Sequence, residues 1–263
     1  MINLAADRDK IVEFCNDYLK VNEIKDYGRN GMQVEGREEV NKIVLGVSAS
    51  LELFKKAAEK NADMVIVHHG LFWEGDSTNP ATGKYDFHLD GFLKKRVKHL
   101  LDNDISLLAY HHTLDAHPVI GNNAQFLLKA QLRLRGEFGT FLGTKFGVYS
   151  ETKISIDELI NRVNSVFDSN ALTFKYGPEI CKRIGFISGH GFGAIDEAMK
   201  LDLDTYITGS VGEKAPAIAK ELGMNLIAAG HYNSEKLGVR ALGELIQKRF
   251  KVEVEFIDVP NIL

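Results

Sequence analysis

Short apolar runs alternate with longer amphipathic segments along most of the chain. The runs are rich in Val, Ile and Leu, as in Lys42–Val47 and Met64–Val67, and this composition predicts buried strands. The segments between them place apolar residues three or four positions apart, which predicts helices that cover a sheet. This alternation is typical of an α/β protein with mostly parallel sheets.

The pattern predicts seven strands and seven helices. The predicted strands are Lys42–Val47, Met64–Val67, Ile105–Tyr110, Ile184–Ser188, Thr205–Thr208, Asn225–Ala229 and Val252–Asp258. The predicted helices are Leu51–Lys60, Gly91–Asn103, Asn122–Leu134, Ile156–Phe167, Ala194–Leu201, Ala215–Leu222 and Glu235–Phe250. Ser155 precedes one of them with Glu158 three residues later, so a capping box is expected there.

Two stretches of the chain have a similar order of motifs. Residues 43–70 and residues 184–210 both read as strand, helix and a second strand that begins at an aspartate. Each stretch continues through a further helix to a histidine with a carboxylate four residues later, namely His111 with Asp115 and His231 with Glu235. We therefore predict two related α/β halves, residues 1–135 and 136–263, with 136–149 as the transition. A chance similarity between two βαβ units is the alternative.

Composition narrows the class of protein. With 44 % hydrophobic residues, a chain of 263 residues can bury a substantial core. A net charge of −4 and a pI of 6.2 argue against general binding to nucleic acid or to anionic membranes. Cys15 and Cys181 lie far apart and are interpreted as packing residues. Four charged residues among the first ten, and apolar runs too short to span a bilayer, predict a soluble cytoplasmic protein.

Several histidines follow directly after predicted strands. His68, His69, His111 and His231 hold this position, and they are four of the nine histidines in the chain. The carboxyl ends of the strands are where ligands bind in open α/β sheets. One such histidine is usually structural, but four at the same structural position indicate a metal site.

The spacing of these residues suggests two metal ions. Adjacent His68 and His69 should point to opposite sides of an extended backbone, so that one ion does not easily bind both. In each histidine–carboxylate pair the spacing of four places both side chains on one helix face. Imidazoles with carboxylates suit Zn, Fe, Mn, Co or Ni. The expected chemistry is that of a dinuclear hydrolytic centre, in which the metal ions lower the pKa of bound water towards ~7.

Longer motifs identify a family. The chain resembles the GTP cyclohydrolase 1 type 2 homologue family, also called the Nif-three-like family, along essentially its whole length. The motifs that carry the resemblance are Asn30-Gly-Met-Gln-Val-Glu-Gly, Val67-His-His-Gly-Leu-Phe-Trp, Leu114-Asp-Ala-His-Pro, Gly121-Asn-Asn-Ala-Gln, Ala229-Gly-His-Tyr-Asn-Ser-Glu and Phe256-Ile-Asp-Val-Pro-Asn. The chain is similar to the short form of the family, without an inserted domain in mid-chain.

The resemblance implies a set of metal ligands. Two metal ions would lie in the cleft between two α/β domains, and Glu235 would bridge them. His69 and Asp115 would bind one ion, and His68 and His231 the other. His111 would serve in the second coordination shell or in proton transfer. The family commonly has an acidic residue where this chain has Ser210, with Glu213 the nearest carboxylate, so an acid/base role for that loop is in doubt.

The resemblance also implies an activity and an assembly. The expected function is a metal-dependent hydrolase acting on a small nucleotide-like substrate, possibly GTP, within a toroidal homohexamer whose sites face an internal cavity. A non-catalytic metal-binding or regulatory scaffold protein is the alternative. Nucleic-acid binding by a ring-shaped oligomer is a third reading, which the acidic pI disfavours.

Other residues have weaker interpretations. The run Ser188-Gly-His-Gly-Phe-Gly resembles a phosphate-binding cradle, although a tight turn between strand and helix fits it better. Trp73, the single tryptophan, is interpreted either as a pocket wall that stacks on a base or as a packing residue. His117 is expected to be an orienting or turn residue, and His88, His99 and His190 to be structural or exposed.

Overall fold

The computed structural model describes residues 5–74 and 87–262. The chain forms two compact units, the first of residues 1–114 with 239–259 and the second of residues 115–238 with 260–263. These bounds differ from the predicted halves 1–135 and 136–263. The reason lies at the C-terminus, because a strand at Glu253–Phe256 pairs with Lys42–Leu45 and so belongs to the first sheet.

Within the described residues, strands and helices alternate as an α/β protein requires. The strands are β1 (Ala6–Asp7), β2 (Gly31–Val34), β3 (Glu39–Val40), β4 (Lys42–Ser48), β5 (Met64–His69), β6 (Ser106–Ala109), β7 (Leu134–Phe141), β8 (Thr144–Ser155), β9 (Leu172–Phe174), β10 (Ile180–Ile187), β11 (Thr205–Thr208), β12 (Asn225–Ala228) and β13 (Glu253–Phe256). The helices are α1 (Arg8–Tyr18), α2 (Leu51–Glu59), α3 (Gly91–Asp102), α4 (His112–Asp115), α5 (Asn122–Lys129), α6 (Ile156–Phe167), α7 (Ile195–Lys200), α8 (Ala215–Leu222), α9 (His231–Ser234) and α10 (Lys236–Phe250).

The first unit is built on a five-stranded sheet in the order β13-β4-β5-β6-β2. Its strands are parallel except β2, which runs antiparallel to β6. Leu53 and Phe54 of α2 and Leu100 of α3 are buried in the core of this unit, together with apolar residues of β4, β5 and β6. This sheet is mostly parallel, as the sequence predicts.

The second unit is built on a six-stranded sheet in the order β7-β8-β10-β11-β12-β9. Strands β10, β11 and β12 run parallel to one another, whereas β7, β8 and β9 are in antiparallel pairs, so the sheet is mixed. Phe126, Phe167 and Phe186 pack together in one core cluster. A second cluster surrounds Tyr206 and Leu226.

The internal repeat is visible in matching hydrogen bonds. Oδ2 of Asp63 accepts hydrogen bonds from the backbone N–H groups of Asn41 and Lys42, at 2.8 and 3.0 Å. Oδ2 of Asp204 accepts from Lys182 and Arg183 at 2.7 and 3.0 Å. In both units the aspartate before the second parallel strand thus binds the two N–H groups that precede the first paired residue of the first strand, which supports the prediction of two related α/β patterns.

Some elements differ from the predicted ones. The predicted transition at 136–149 is wrong, because these residues lie in the antiparallel hairpin of β7 and β8. Helix α1 was not predicted, since it buries only Arg8, Ile11 and Cys15 and so lacks a broad apolar stripe.

Both cysteines are buried thiols, as expected of packing residues. In the described part of the chain, every helix is too short or too polar to cross a bilayer.

Candidate metal centre

Two predicted ligands end strand β5 in the first unit. Nδ1 of His68 donates a hydrogen bond to the carbonyl oxygen of Tyr110 at 2.9 Å. Nδ1 of His69 lies 3.1 Å from the hydroxyl of Ser48, with which it is hydrogen-bonded. His68 is fully buried and His69 is partly exposed. Because a carbonyl oxygen can only accept, the neutral form of His68 has its lone pair on Nε2, which is a metal-ligating atom.

His111 joins these two histidines. Its ring centroid lies 5.0 Å from that of His68 and 5.5 Å from that of His69. One ligand atom from each of the three side chains lies within 4.8 Å of the others. Three imidazoles at this separation could hold a metal ion within the first unit.

The rings of His68 and His69 do not diverge. Their centroids are 4.7 Å apart, whereas side chains on opposite sides of a strand would be well separated. Both residues belong to β5, of which His69 is the last residue, and their rings nevertheless approach each other. The geometry of His68 and His69 therefore does not support two metal ions. The expectation of two ions per chain rests on the family resemblance.

Asp26 is the residue that orients His111. Its Oδ1 accepts hydrogen bonds from Nδ1 of His111 at 3.0 Å and from the N–H of Gly28 at 2.8 Å. Its Oδ2 accepts from the side-chain amide of Asn30 at 2.9 Å and from the N–H of His112 at 2.8 Å. Burial alone would raise the pKa of this carboxyl, but the hydrogen bond and the charge of His111 hold it well below its ordinary value.

The role of Asp26 did not follow from the sequence. The residue lies in a loop before β2, and the motif that carries the resemblance begins four residues later, at Asn30. Asp26, His111 and His112 are also close enough to hold a metal ion. Because both oxygens of Asp26 already accept hydrogen bonds, its arrangement is that of a carboxylate that orients an imidazole.

The second unit carries His231 and Glu235. Nε2 of His231 lies 3.4 Å from Oε2 of Glu235, at the spacing of four residues that the sequence predicts to converge. The hydroxyl of Ser210 is hydrogen-bonded to Nδ1 of His231 at 3.1 Å. Glu235 is buried, with 3 % of its surface exposed. A buried carboxylate beside an imidazole is a donor pair that a divalent ion could neutralise.

Gly189 makes room for the carboxylate of Glu235. A Cβ atom at residue 189 would overlap Oε1 of Glu235, and the φ angle of Gly189 is +61°. Its N–H donates to the hydroxyl of Ser234 at 3.0 Å. The glycine is therefore required both by backbone conformation and by the close approach of a predicted ligand.

Asp115, also in the second unit, is held by two side chains. Its Oδ1 accepts hydrogen bonds from the amide of Asn122 at 2.8 Å and from the hydroxyl of Ser188 at 3.0 Å. The amide of Asn123 fixes Ser188 in turn, because its oxygen accepts from the Ser188 N–H at 2.8 Å. The motif Gly121-Asn-Asn thus positions a predicted ligand.

The two histidine–carboxylate pairs do not occupy equivalent positions in the internal repeat. Val67 pairs with Ala109 in the first sheet, and Thr208 pairs with Ala228 in the second. His111 lies two residues after Ala109, and the residue two after Ala228 is Gly230. The counterpart of His231 is therefore His112, and the predicted correspondence is wrong by one residue.

The run at 188–193 is a turn, as its better interpretation predicts. The N–H of Gly191 donates to Oγ1 of Thr208 at 3.0 Å, and the N–H of Gly189 is also bonded to a side chain. These groups therefore do not form a phosphate cradle. Nδ1 of His117 accepts from two backbone N–H groups at 3.2 Å each, as expected of a turn residue.

The comparisons with known proteins identify the family of the chain. Residues 6–261 match the model of the family described as Duf34/NIF3 (NGG1p interacting factor 3). The chain is 41 % identical over 261 residues to the GTP cyclohydrolase 1 type 2 homolog of Pseudomonas aeruginosa, covering 98 % of this chain and 99 % of that protein. It is 36 % identical over 256 residues to the protein of the same name from Archaeoglobus fulgidus, covering 97 % and 98 %.

Solved structures include a similar fold. The structural-genomics protein ybgI, described as of unknown function, superimposes with a TM-score of 0.89 at 36 % identity, covering 98 % of this chain and all of that one. Because the chain spans nearly the full length of these relatives, its resemblance to the short form is confirmed. The chain belongs to the Duf34/NIF3 family.

Proposed function

We propose that this protein is a dinuclear, divalent-metal-dependent hydrolase whose ligands are His68, His69, Asp115, His231 and Glu235. The observation that carries the proposal is the cluster of His68, His69 and His111, in which each Nδ1 has its own protein partner. Fixed imidazoles of this kind are typical of metal sites. When bound, two divalent ions would act as Lewis acids and activate water at neutral pH.

His111 is proposed to move a proton. Its Nδ1–H is held by Asp26 at 3.0 Å, so a neutral His111 has its basic lone pair on Nε2. Asp26 thus positions the ring, and His111 is the general base of the proposed reaction.

The substrate is proposed to be a small nucleotide-like molecule. The support is the name of the relatives, which are GTP cyclohydrolase 1 type 2 homologs. A toroidal homohexamer with its sites towards an internal cavity is the assembly that the resemblance implies. A substrate that enters such a cavity must be small or flexible.

The test is a turnover screen of protein loaded separately with Zn, Fe, Mn, Co or Ni, using nucleotides, phosphodiesters and cyclic amides. Turnover that requires one of these metals is expected. The variant His111→Gln should retain its metal and lose at least 100-fold in rate, because general-base catalysis contributes on the order of 10²–10⁴-fold. The matched control is His88→Gln, at an exposed histidine elsewhere in the chain.

Two outcomes would contradict the proposal. Full metal occupancy without turnover of any substrate class would favour the alternative, a metal-binding or regulatory scaffold protein. A His111→Gln variant as active as the parent would remove the general base from the mechanism. Metal content measured on the same samples separates loss of catalysis from loss of the ions.

A further inference from the structure

Two large aromatic side chains are held together beside the histidine cluster of the first unit. Gly28 and Trp73 form an isolated antiparallel bridge. The N–H of Arg29 donates to the carbonyl of Phe72 at 3.1 Å, and the N–H of Glu74 donates to the carbonyl of Tyr27 at 2.6 Å. These backbone bonds hold the rings of Tyr27 and Trp73 with their centroids 5.5 Å apart and their planes 33° from parallel.

This aromatic pair, Tyr27 with Trp73, borders the proposed ligands directly. The Trp73 ring lies 6.1 Å from that of His69 and 5.1 Å from that of His111. The Tyr27 ring lies 5.2 Å from that of His111, at an angle of 73°. A continuous series of ring surfaces therefore runs from His69 to Tyr27, where 42 % of the residue surface is exposed.

Core packing alone does not account for this position. Phe126 and Phe186 of the core are fully buried. Tyr27 instead leaves a large ring exposed beside polar groups, a combination that is characteristic of ligand sites. Gly28 adds a local reason, since a Cβ there would lie 3.0 Å from the Trp73 ring. The glycine lets the indole lie against the backbone.

We propose that Tyr27 and Trp73 are the surface on which a planar heteroaromatic ring of a ligand stacks. The two rings contact each other at 5.5 Å, so the ligand ring lies against the pair and not between its members. Every nucleobase has a face that can stack in this way. The inference deepens the proposed function by assigning the base-recognition residues, and it rests on that function only for what happens at the histidines.

The single tryptophan makes the test direct, because all tryptophan fluorescence comes from Trp73. Metal-free protein in EDTA is titrated with guanosine, adenosine and cytidine monophosphates, and with ribose 5-phosphate, which lacks a base. At least one nucleotide should quench the fluorescence saturably, and ribose 5-phosphate should not. Tyr27→Leu should weaken nucleotide binding about tenfold, since stacking on one aromatic side chain contributes roughly that factor or more.

Two variants serve as controls. Tyr27→Phe keeps the ring and should bind as the parent does. Tyr176→Leu removes a tyrosine of similar exposure, 38 %, that stacks on Phe174 in the second unit, and it should also bind as the parent does. Calorimetry with Trp73→Phe and Trp73→Leu repeats the comparison at the second ring, where Phe should retain binding and Leu should lose it.

Three results would overturn the inference: no saturable binding of any of the nucleotides, equal binding of ribose 5-phosphate, or unchanged affinity in Tyr27→Leu. None of these results depends on metal, so failure of the stacking proposal is distinguishable from failure of the proposed function. A protein that holds no metal but binds nucleotides through Tyr27 would contradict the hydrolase and support the stacking surface. A metal-dependent hydrolase whose nucleotide affinity is unchanged by Tyr27→Leu would support the proposed function and contradict the stacking surface.

Discussion

The carboxylate of Glu235 lies against Cα of Gly189, in the space that any side chain at residue 189 would fill. Gly189 follows β10 in a turn, and Glu235 lies between α9 and α10. The N–H···O bond of 3.0 Å from Gly189 to Ser234 fixes the distance between the two segments. A residue that binds nothing itself therefore determines where a proposed bridging ligand can lie.

Gly189→Ala is expected to weaken metal binding at least tenfold, because the added methyl group displaces the Glu235 carboxylate. Losses of about 10- to 100-fold are typical when support of a ligand is removed. The φ angle of +61° adds a backbone cost of about 1–2 kcal/mol in stability. Equilibrium dialysis measures the affinity, and urea denaturation measures the free energy of unfolding.

Gly193→Ala is the matched control for this prediction. Gly193 lies in the same turn region, and a Cβ there would meet no atom within 4 Å. It should bind metal as the parent does. If both alanine variants bind metal equally well, the close approach to Glu235 has no importance for binding.

Asp26→Asn is expected to destabilise the metal-free protein by about 2–4 kcal/mol at neutral pH. All four partners of the carboxylate are donors, so an amide would set its own NH₂ group against two of them. The exposed aspartate Asp17 supplies the control variant, Asp17→Asn, which should change stability by less than about 0.5 kcal/mol. Urea denaturation in EDTA measures both.

The lowered pKa of Asp26 also predicts how the effect of Asp26→Asn on stability depends on pH. The pKa of Asp26 is lowered in the folded protein, so its contribution is complete above the unfolded value of about 3.9 and is lost as the pH falls through the folded pKa. The stability difference between the parent and Asp26→Asn should therefore be constant from pH 7 to about pH 5 and should shrink below about pH 4. A difference that grows on acidification would contradict the assignment.

Ser155→Ala is expected to cost about 1 kcal/mol of stability, since the hydroxyl caps α6 by accepting from the N–H of Glu158 at 3.2 Å. Ser165, which is exposed in the same helix, provides the comparison. Ser165→Ala should be neutral or slightly stabilising, because alanine is the better helix former. Equal thermal denaturation midpoints for the two variants would show that the cap contributes nothing.

Prediction from sequence was most successful for regular elements with strong periodicity. Helices α6 and α8 and strand β11 have the predicted bounds, and the Ser155 cap is confirmed. The hairpin of β7 and β8 lies where the repeated pattern predicts the transition between two halves. Pairing with β10 stabilises it as a strand pair, and such non-local contacts are not visible in a local pattern.

The candidate site was also predictable only in part. The histidines that follow strands can be recognised, because each lies next to its strand in the sequence. Asp26 and Gly189 were missed, since each acts through a residue more than forty positions away along the chain. The expectation that His68 and His69 diverge is wrong, since their rings lie 4.7 Å apart although both residues belong to β5.

The metal content of the parent and of Glu235→Gln tests the central claim most directly. Glutamine keeps the shape of the buried side chain but removes the charge between two cations, so the fold should persist, as circular dichroism and gel filtration of the same samples would show. The account predicts two divalent ions per chain in the loaded parent and fewer than one in the variant. One ion or none in the parent, or two ions in the folded variant, would contradict it.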